Sequence, residues 1–308
     1  MDKLTLFRRA TRFQVIPVMI LPVAIGSVGA WVWNGRFDWL LFLITIIGAG
    51  AAHLFSNMIN DLWDYRSGVD VAARETAATI STNSGFLANG TLSVAVFAAM
   101  TWSLFGIAAV CGVLLTVLSG YEVLLFAGLG GLIAYFYVAP PIRFGYRGKG
   151  YSELAIVIAF GVLPVMGSHF VQTSELDWRS LWASLPIGLL TTLILFNHHF
   201  LHWRADQAAG KKTLVVVFGE ARALQFSKLL LALAYLALIA AVLLHSLPYY
   251  ALIGLITILP FIRIYRALQP SNPSPAYLPL MGVSVKAAIR CGAILVVCLA
   301  VQGILAAI

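Results

Sequence analysis

Nine runs of roughly twenty apolar residues follow one another along the chain, and few folds can accommodate them. They lie near 14–34, 39–61, 90–118, 121–139, 153–172, 179–200, 223–245, 248–268 and 285–307. Each is about long enough to cross the hydrocarbon layer of a bilayer as a helix. The 308 residues are 61% hydrophobic and only 10% charged, whereas a soluble domain carries charge on about a quarter of its positions. No water-soluble core of this size buries so much apolar sequence, so the solvent is lipid. Backbone groups in lipid must find partners within the element, which leaves helices or closed barrels. Runs this long, without barrel-strand alternation, predict a single all-α integral membrane domain over 1–308, with nine transmembrane helices around a central cavity.

Basic residues orient that bundle. With the N-terminus inside, 18 of the 20 lysines and arginines fall on the inner side, and only Arg36 and Arg179 fall outside. This is the positive-inside tendency, and it puts the C-terminus outside. The formal charge of +8, spread over one membrane face, reads as topology and anionic-lipid contact; no nucleic-acid partner is expected. Cys111, Cys291 and Cys298 sit in apolar runs without metal-ligand spacing and read as core residues. The first apolar run is too long for a cleavable signal peptide and is followed by many more.

Ionisable residues at membrane helix ends are costly and default to a functional reading. Two inner ends concentrate them. The second run closes on His53, Asn57, Asn60, Asp61 and Asp64, with Asp70 following. On a helix these positions share one face. Asp61 and Asp64 are like charges about one turn apart, and a divalent cation between them resolves the repulsion. Mg²⁺ is suited to hard oxygen ligands and often takes its remaining partners from water and substrate phosphates. A solvated helix end is the plain alternative.

The sixth run ends in Asn197, His198, His199, His202, Arg204 and Asp206, followed by Gly210, Lys211, Lys212 and Thr213. His198, His202 and Asp206 again share a face. Zinc is the rival metal here, but no further Cys or His cluster completes a cage. Lys211 and Lys212 read as diphosphate partners, lysine acting as a point charge on a flexible stem. Both polar ends run into hydrophilic stretches, roughly 65–89 and 203–222, long enough to act as lids. A third inner stretch, Pro140 to Gly150, adds Arg143, Arg147 and Lys149, and its Pro140-Pro141 pair ends the preceding helix.

Asn60-Asp61-Leu62-Trp63-Asp64-Tyr65-Arg66-Ser67-Gly68-Val69-Asp70 resembles the N-D-x-x-D-x-x-x-G-x-D motif of UbiA-type intramembrane prenyltransferases. Asp206 through Gly210-Lys211-Lys212-Thr213-Leu214 is similar to that family's second motif, and Tyr146-Arg147-Gly148 with Glu153 is similar to its 1,4-dihydroxy-2-naphthoate branch. The sequence departs from the pattern where His202 replaces an expected aspartate and His198-His199 an expected asparagine pair. The resemblance covers about residues 8–305 and implies a UbiA-like fold.

Taken with the residues, it implies transfer of a prenyl group from a prenyl diphosphate to an aromatic acceptor, most simply 1,4-dihydroxy-2-naphthoate in menaquinone-type quinone synthesis. Mg²⁺ would be held by Asp61, Asp64, Asp206, Asn60 and Asp70. Asn57, Arg74, Arg147 and Lys211 would hold substrate, and His202 or His199 would take a proton. Tyr135, Tyr137 and Phe196 are candidates for stabilising an allylic cation through their π faces. The implied setting is the inner (cytoplasmic) membrane, with the site facing the cytoplasm and the lipid bilayer as partner. Oligomeric state is left open. Another prenyl acceptor is the alternative within the family. A secondary transporter is the rival outside it, although transporter polar groups gather near the midplane.

Overall fold

A computed structural model describes residues 2–68 and 84–308. The structure is helical, as lipid requires. A short amphipathic helix, α1 (Lys3–Ala10), precedes α2 (Pro17–Asn34) and α3 (Trp39–Arg66). Next come α4 (Val94–Ser119), α5 (Val123–Phe136), α6 (Tyr151–Thr173) and α7 (Trp178–His199). Two short helices, α8 (Trp203–Ala208) and α9 (Leu214–Phe218), lead to α10 (Glu220–Leu243), α11 (Tyr249–Ala267) and α12 (Leu278–Ala307). Local chemistry sets several starts. Asp38 accepts from the amides of Leu40 and Leu41 at 2.7 and 3.0 Å, Ser93 caps α4 and Asp177 caps α7. In each case a side-chain oxygen satisfies an otherwise orphaned N–H.

Among the described residues, eight helices are long and apolar enough to cross a membrane. The exception among the nine expected runs is 121–139, which yields only the 14-residue α5. At 1.5 Å per residue that is roughly 21 Å, short of a hydrocarbon layer of about 30 Å. The chain leaves the helix at Tyr137 and turns through Pro140 and Pro141 instead of continuing it. Conversely, α3 has 28 residues, roughly 42 Å. Its last turns outreach the apolar layer and carry Asn60, Asp61 and Asp64 on a continuous helix. The expected hydrophilic stretch 203–222 is largely helical too, as α8 and α9.

Among the described residues, three cores hold the bundle. The largest joins α7, α10 and α12 through Ile187, Phe196, Leu238, Ala288 and Leu295; the second packs Phe55, Met58 and Leu62 of α3 against Phe97 and Leu104 of α4; a small third gathers Leu115, Val123, Phe170 and Val171. The three cysteines are buried, as expected. The backbones of α6 and α7 nearly touch: a Cβ on Gly161 would lie 2.7 Å from the Gly188 Cα and 2.8 Å from the Ser184 oxygen. Small residues at such crossings let membrane helices pack by van der Waals contact. Large apolar side chains such as Val117, Leu125, Leu243 and Ile253 stay exposed, the surface expected against lipid. Between α3, α4, α5 and α6 a cavity of about 800 Å³ remains, walled by residues including Phe55, Trp102, Phe126, Tyr135, Phe136 and Leu163.

Candidate active site

The polar stripe of α3 is clasped from one side by the junction of α1 and α2. Asp61 is buried at 4% exposure. Arg12, held in a left-handed conformation (φ 54°), donates to its Oδ1, and the Ser84 amide donates to its Oδ2 at 2.9 Å. One helical turn back, Asn57 donates to the Thr11 carbonyl at 3.0 Å and lies 3.5 Å from the His53 ring. Asp64 accepts from the Tyr146 hydroxyl, which the 140–150 turn delivers across the mouth of the bundle.

From the other side, α7 ends at three histidines. His198 and His202 approach to 4.7 Å between ring centres, and His199 lies 6.0 Å from His202. Asp206 then sits fully buried on α8, with His202 Nε2 3.5 Å from its Oδ2. The backbone folds back through Gly210 (φ 72°), a left-handed position that glycine adopts freely. The Lys211 amide thereby meets the Asp206 carbonyl at 2.8 Å. Lys211 Nζ is suspended between the two helix ends, 3.7 Å from Asp64 Oδ2 and 3.8 Å from Asp206 Oδ1, and 4.8 Å from the Tyr146 ring centre. The Lys212 amide donates to the Tyr146 carbonyl at 3.1 Å, clipping the two turns together.

The electrostatics are unsettled in a telling way. Burial pushes the Asp206 carboxyl up to about 6, against the pull of Lys211. Burial also works against the Lys211 charge, but Asp64 and Asp206 outweigh it and hold the ammonium above its usual range. Burial, reinforced by Lys211, keeps His202 well below its usual value and neutral. Both Asp206 carboxylate oxygens, Asn60 Oδ1, His199 Nδ1 and His202 Nδ1 are buried without a hydrogen-bond partner. Natural proteins leave few such groups, and each calls for an explanation. Hard oxygens without donors, beside two trapped cations and an apolar cavity, suit a metal and an anion that arrive together.

The UbiA prenyltransferase family matches residues 19–285. The chain belongs to that family. It is a prenyltransferase and a multi-pass membrane protein. Among its relatives, a 2-carboxy-1,4-naphthoquinone phytyltransferase of Synechocystis sp. is 29% identical, with 88% of this chain and 84% of that protein covered. A 1,4-dihydroxy-2-naphthoate octaprenyltransferase of Escherichia coli is 30% identical over 77% of this chain and 76% of its own length. A UbiA homolog from Archaeoglobus fulgidus bound to GPP and Mg²⁺ has the same fold: 20% identical, TM-score 0.65, with 94% of this chain and 99% of that one covered.

Of the residues the sequence singles out, the structure brings Asn57, Asn60, Asp61, Asp64, His199, His202, Asp206 and Lys211 to one end of the prenyltransferase bundle. Arg147 lies at the same end, bridged to Lys212, but its side chain is turned away from the cluster: it is exposed, and its Nε donates to its own turn at Ile142 O, 2.8 Å away. Lys212 is exposed as well. Asp70 and Arg74, with most of the 65–89 stretch, lie outside the described residues. Tyr135 is a cavity wall residue beside Trp102, 6.1 Å between ring centres. Phe196 is plain core, packed on Phe200 and Phe226 at 5.9 and 5.2 Å. Neither Arg12 nor the Ser84 amide is singled out by the sequence, yet both bind Asp61. Nothing but its place beside α2 separates Arg12 in the sequence from the other inner basic residues.

The donor set fits Mg²⁺ better than zinc. Among the described residues, no three of His, Cys, Asp or Glu converge closely enough to form a metal cage. A cation here needs its remaining ligands from elsewhere, as Mg²⁺ does with water and phosphate.

Proposed function

We propose that the protein prenylates 1,4-dihydroxy-2-naphthoate from a prenyl diphosphate, on the cytoplasmic side of the inner membrane, as a step of menaquinone-type quinone synthesis. The observation that carries this reading is Lys211, suspended between the carboxylates of two helix ends at 3.7 and 3.8 Å, with an apolar cavity of about 800 Å³ deeper among the same helices. The naphthoate preference is supported by two relatives whose names specify a naphthoquinone-type acceptor.

In this reading Asp61, Asp64, Asp206 and Asn60 hold Mg²⁺, with Asp70 and Arg74 completing the first motif. When bound, the metal supplies positive charge to the leaving diphosphate. Lys211 and Arg12 do the same from the protein. Each is held by a carboxylate, so each is already in place when a diphosphate arrives. Positive charge aimed at oxygens that gain charge as the allylic C–O bond breaks stabilises the transition state more than the ground state. Tyr146 fixes Asp64 through its hydroxyl. Neutral His202 orients Asp206, with His199 behind it. The prenyl tail lies in the cavity along Tyr135, and its apolar walls exclude water from the developing cation.

Purified protein in detergent, given geranylgeranyl diphosphate and dihydroxynaphthoate, should transfer the prenyl group only with Mg²⁺ present. Asp61→Ala should lower the rate at least a hundredfold. Turnover with 4-hydroxybenzoate but not with the naphthoate would move the acceptor elsewhere in the family. Metal-independent turnover would refute the arrangement of ligands.

A further inference from the structure

Glu153 is a buried acid that the diphosphate site does not use. It stands in the first turn of α6 at 7% exposure, and its Oε1 has no hydrogen-bond partner. A glutamate there ordinarily reaches back to cap the helix start. The N-cap residue is Gly150, which has no side chain to cap with, and the Glu153 carboxylate finds a local partner in its own backbone amide, which still leaves Oε1 unexplained.

Its neighbourhood is definable. The start of α3 lies beside the end of α6, where the Asp38 amide donates to Gln172 Oε1 at 2.6 Å, so the two helices run antiparallel. They meet again through the His53 and Phe160 rings, 5.2 Å apart. Asn60 lies seven residues beyond His53, and Glu153 seven residues before Phe160. At 1.5 Å per residue both stand about 10 Å from that ring contact toward the acidic face. Ala52 and Ala159, next to the two rings, line the apolar cavity. Asn60 Oδ1 and Glu153 Oε1, both unpartnered, therefore lie at similar depth between the cavity and the Asp64–Lys211 cluster, with the start of α6 packed on α7, where the Thr192 hydroxyl donates to the Glu153 carbonyl at 3.4 Å. Tyr137 ties that depth to the cluster. Burial pushes its hydroxyl up, Lys211 pulls it down and Glu153 pushes it up again. Gly145 makes room for the Tyr137 ring, since a Cβ there would sit 2.8 Å from it.

The metal accounts for Asn60 Oδ1; Glu153 Oε1 is an acceptor left over, and what completes it is a donor. A diphosphate brings only acceptors and negative charge, and an isoprenoid tail brings neither. A ring hydroxyl is a donor, and Glu153 lies between the apolar cavity proposed for the tail and the Asp64–Lys211 cluster proposed for the diphosphate.

We propose that Glu153 receives a ring hydroxyl of the aromatic acceptor and takes its proton during transfer, an assignment that rests on the prenylation of a hydroxylated aromatic argued above. The O–H bond breaks with its proton going to Glu153, and the oxygen pair moves into the ring. A ring carbon bonds to the prenyl C1, and the C1–O bond breaks with its electron pair leaving on diphosphate. Where that carbon bears a carboxylate, CO₂ departs, its bonding pair restores the aromatic ring, and Glu153 returns the proton to the oxygen.

Glu153→Gln should lower kcat with dihydroxynaphthoate by a hundredfold or more while leaving the KM for geranylgeranyl diphosphate within twofold. Glu153→Asp should recover part of the loss. Donor binding with Mg²⁺, titrated in both variants, verifies that they fold. Methylating one of the two acceptor hydroxyls should slow wild type by a comparable factor and slow Glu153→Gln no further, since both changes remove one interaction. Glu153→Gln at wild-type kcat, or losing donor affinity in step with kcat, overturns the assignment. So does a methyl-ether penalty that is undiminished in the variant at either position. Wild type that prenylates no hydroxylated aromatic brings down the parent reading as well, a failure visible before any variant is made.

Discussion

The two faces of the bundle both gather polar groups around histidine, yet they treat them oppositely. At the face opposite the acids, His169 is fully buried, with Nε2 3.0 Å from Asn34 Oδ1 and Nδ1 3.4 Å from Thr173 Oγ1. Gln172 exchanges two bonds with the Asp38 backbone at 2.6 and 3.0 Å, and Arg36 donates to the Thr173 carbonyl at 2.7 Å. Arg179 holds Asp177 and lies over Trp33. These groups are satisfied by one another, so they knit helix ends together and have nothing left to offer a ligand. At the acidic face, Asp206, Asn60, Glu153, His199 and His202 keep buried atoms without partners. Burial alone does not mark a functional polar residue in a membrane protein. A concentration of charged or ionisable groups with unfilled hydrogen-bonding capacity does, whereas the orphans at the opposite face, such as Trp33 Nε1 and Ser119 Oγ, are neutral.

The sharpest break of that contrast is Asp206→Asn. Its carboxylate has no hydrogen-bond donor, and neutralising a buried, poorly paired charge costs little or gains stability. The rate of prenyl transfer should fall by about a hundredfold or more, with the melting temperature in detergent unchanged or raised. A variant that unfolds while the residual folded fraction turns over normally would show the acidic face to be structural after all. At the other face Gln172→Ala should do the reverse. It removes both bonds to the backbone of the exposed Asp38, at about 0.5–1.5 kcal/mol for each, while kcat stays within about twofold. Reaction of the three buried cysteines with a thiol dye on heating reads that loss directly.

Acid should separate the two faces more gently. The Asp206 carboxyl is raised to about 6 in the fold, so its contribution to stability is fully present below about pH 4 and is lost as pH rises through about 6. Asp177 runs the other way. Burial pushes it up, but the bonds from Arg179 outweigh that and hold it below the usual carboxylate range. Its contribution is present above about pH 4 and is lost as pH falls through the depressed value. Metal-free wild type should therefore gain thermal stability relative to Asp206→Asn between pH 7 and 4. Its advantage over Asp177→Asn should shrink only below about pH 4. Parallel curves for wild type and Asp206→Asn would mean that the carboxyl is not destabilised by burial.

What could be read from the chain divides along the same line. Lipid demands long apolar runs, so the helices announce themselves, and a run fails only where sequence beyond hydropathy intervenes, as at Tyr137 to Pro141. The stripe from His53 to Asp64 was legible because its members share one helix face, and α3 supplies the periodicity. Glu153 is legible only through the resemblance and Tyr137 only as an aromatic at a helix end, while Arg12 is not legible at all, because the three come from separate elements and no spacing within one segment reports a meeting across the bundle. His169 was passed over for a related reason. A histidine amid apolar residues looks the same whether its partners are present or missing, and only the fold distinguishes the two.

Arg147 tests the smallest difference. Motif position places it with Lys211, directly after Tyr146 and bridged to Lys212. Its side chain is turned out to solvent and tied to Ile142 O, whereas Lys211 is buried at 6% exposure between two carboxylates. An exposed cation near a helix end attracts a diphosphate only through screened, long-range charge. Arg147→Ala should change kcat/KM for the prenyl diphosphate by no more than about threefold at low salt and by less at 0.15 M, where the Debye length is about 8 Å. Lys211→Ala should lose at least thirtyfold under either condition. An Arg147→Ala loss as large as that of Lys211→Ala, and insensitive to salt, would mean that the 143–150 turn swings its guanidinium into the site when the diphosphate binds.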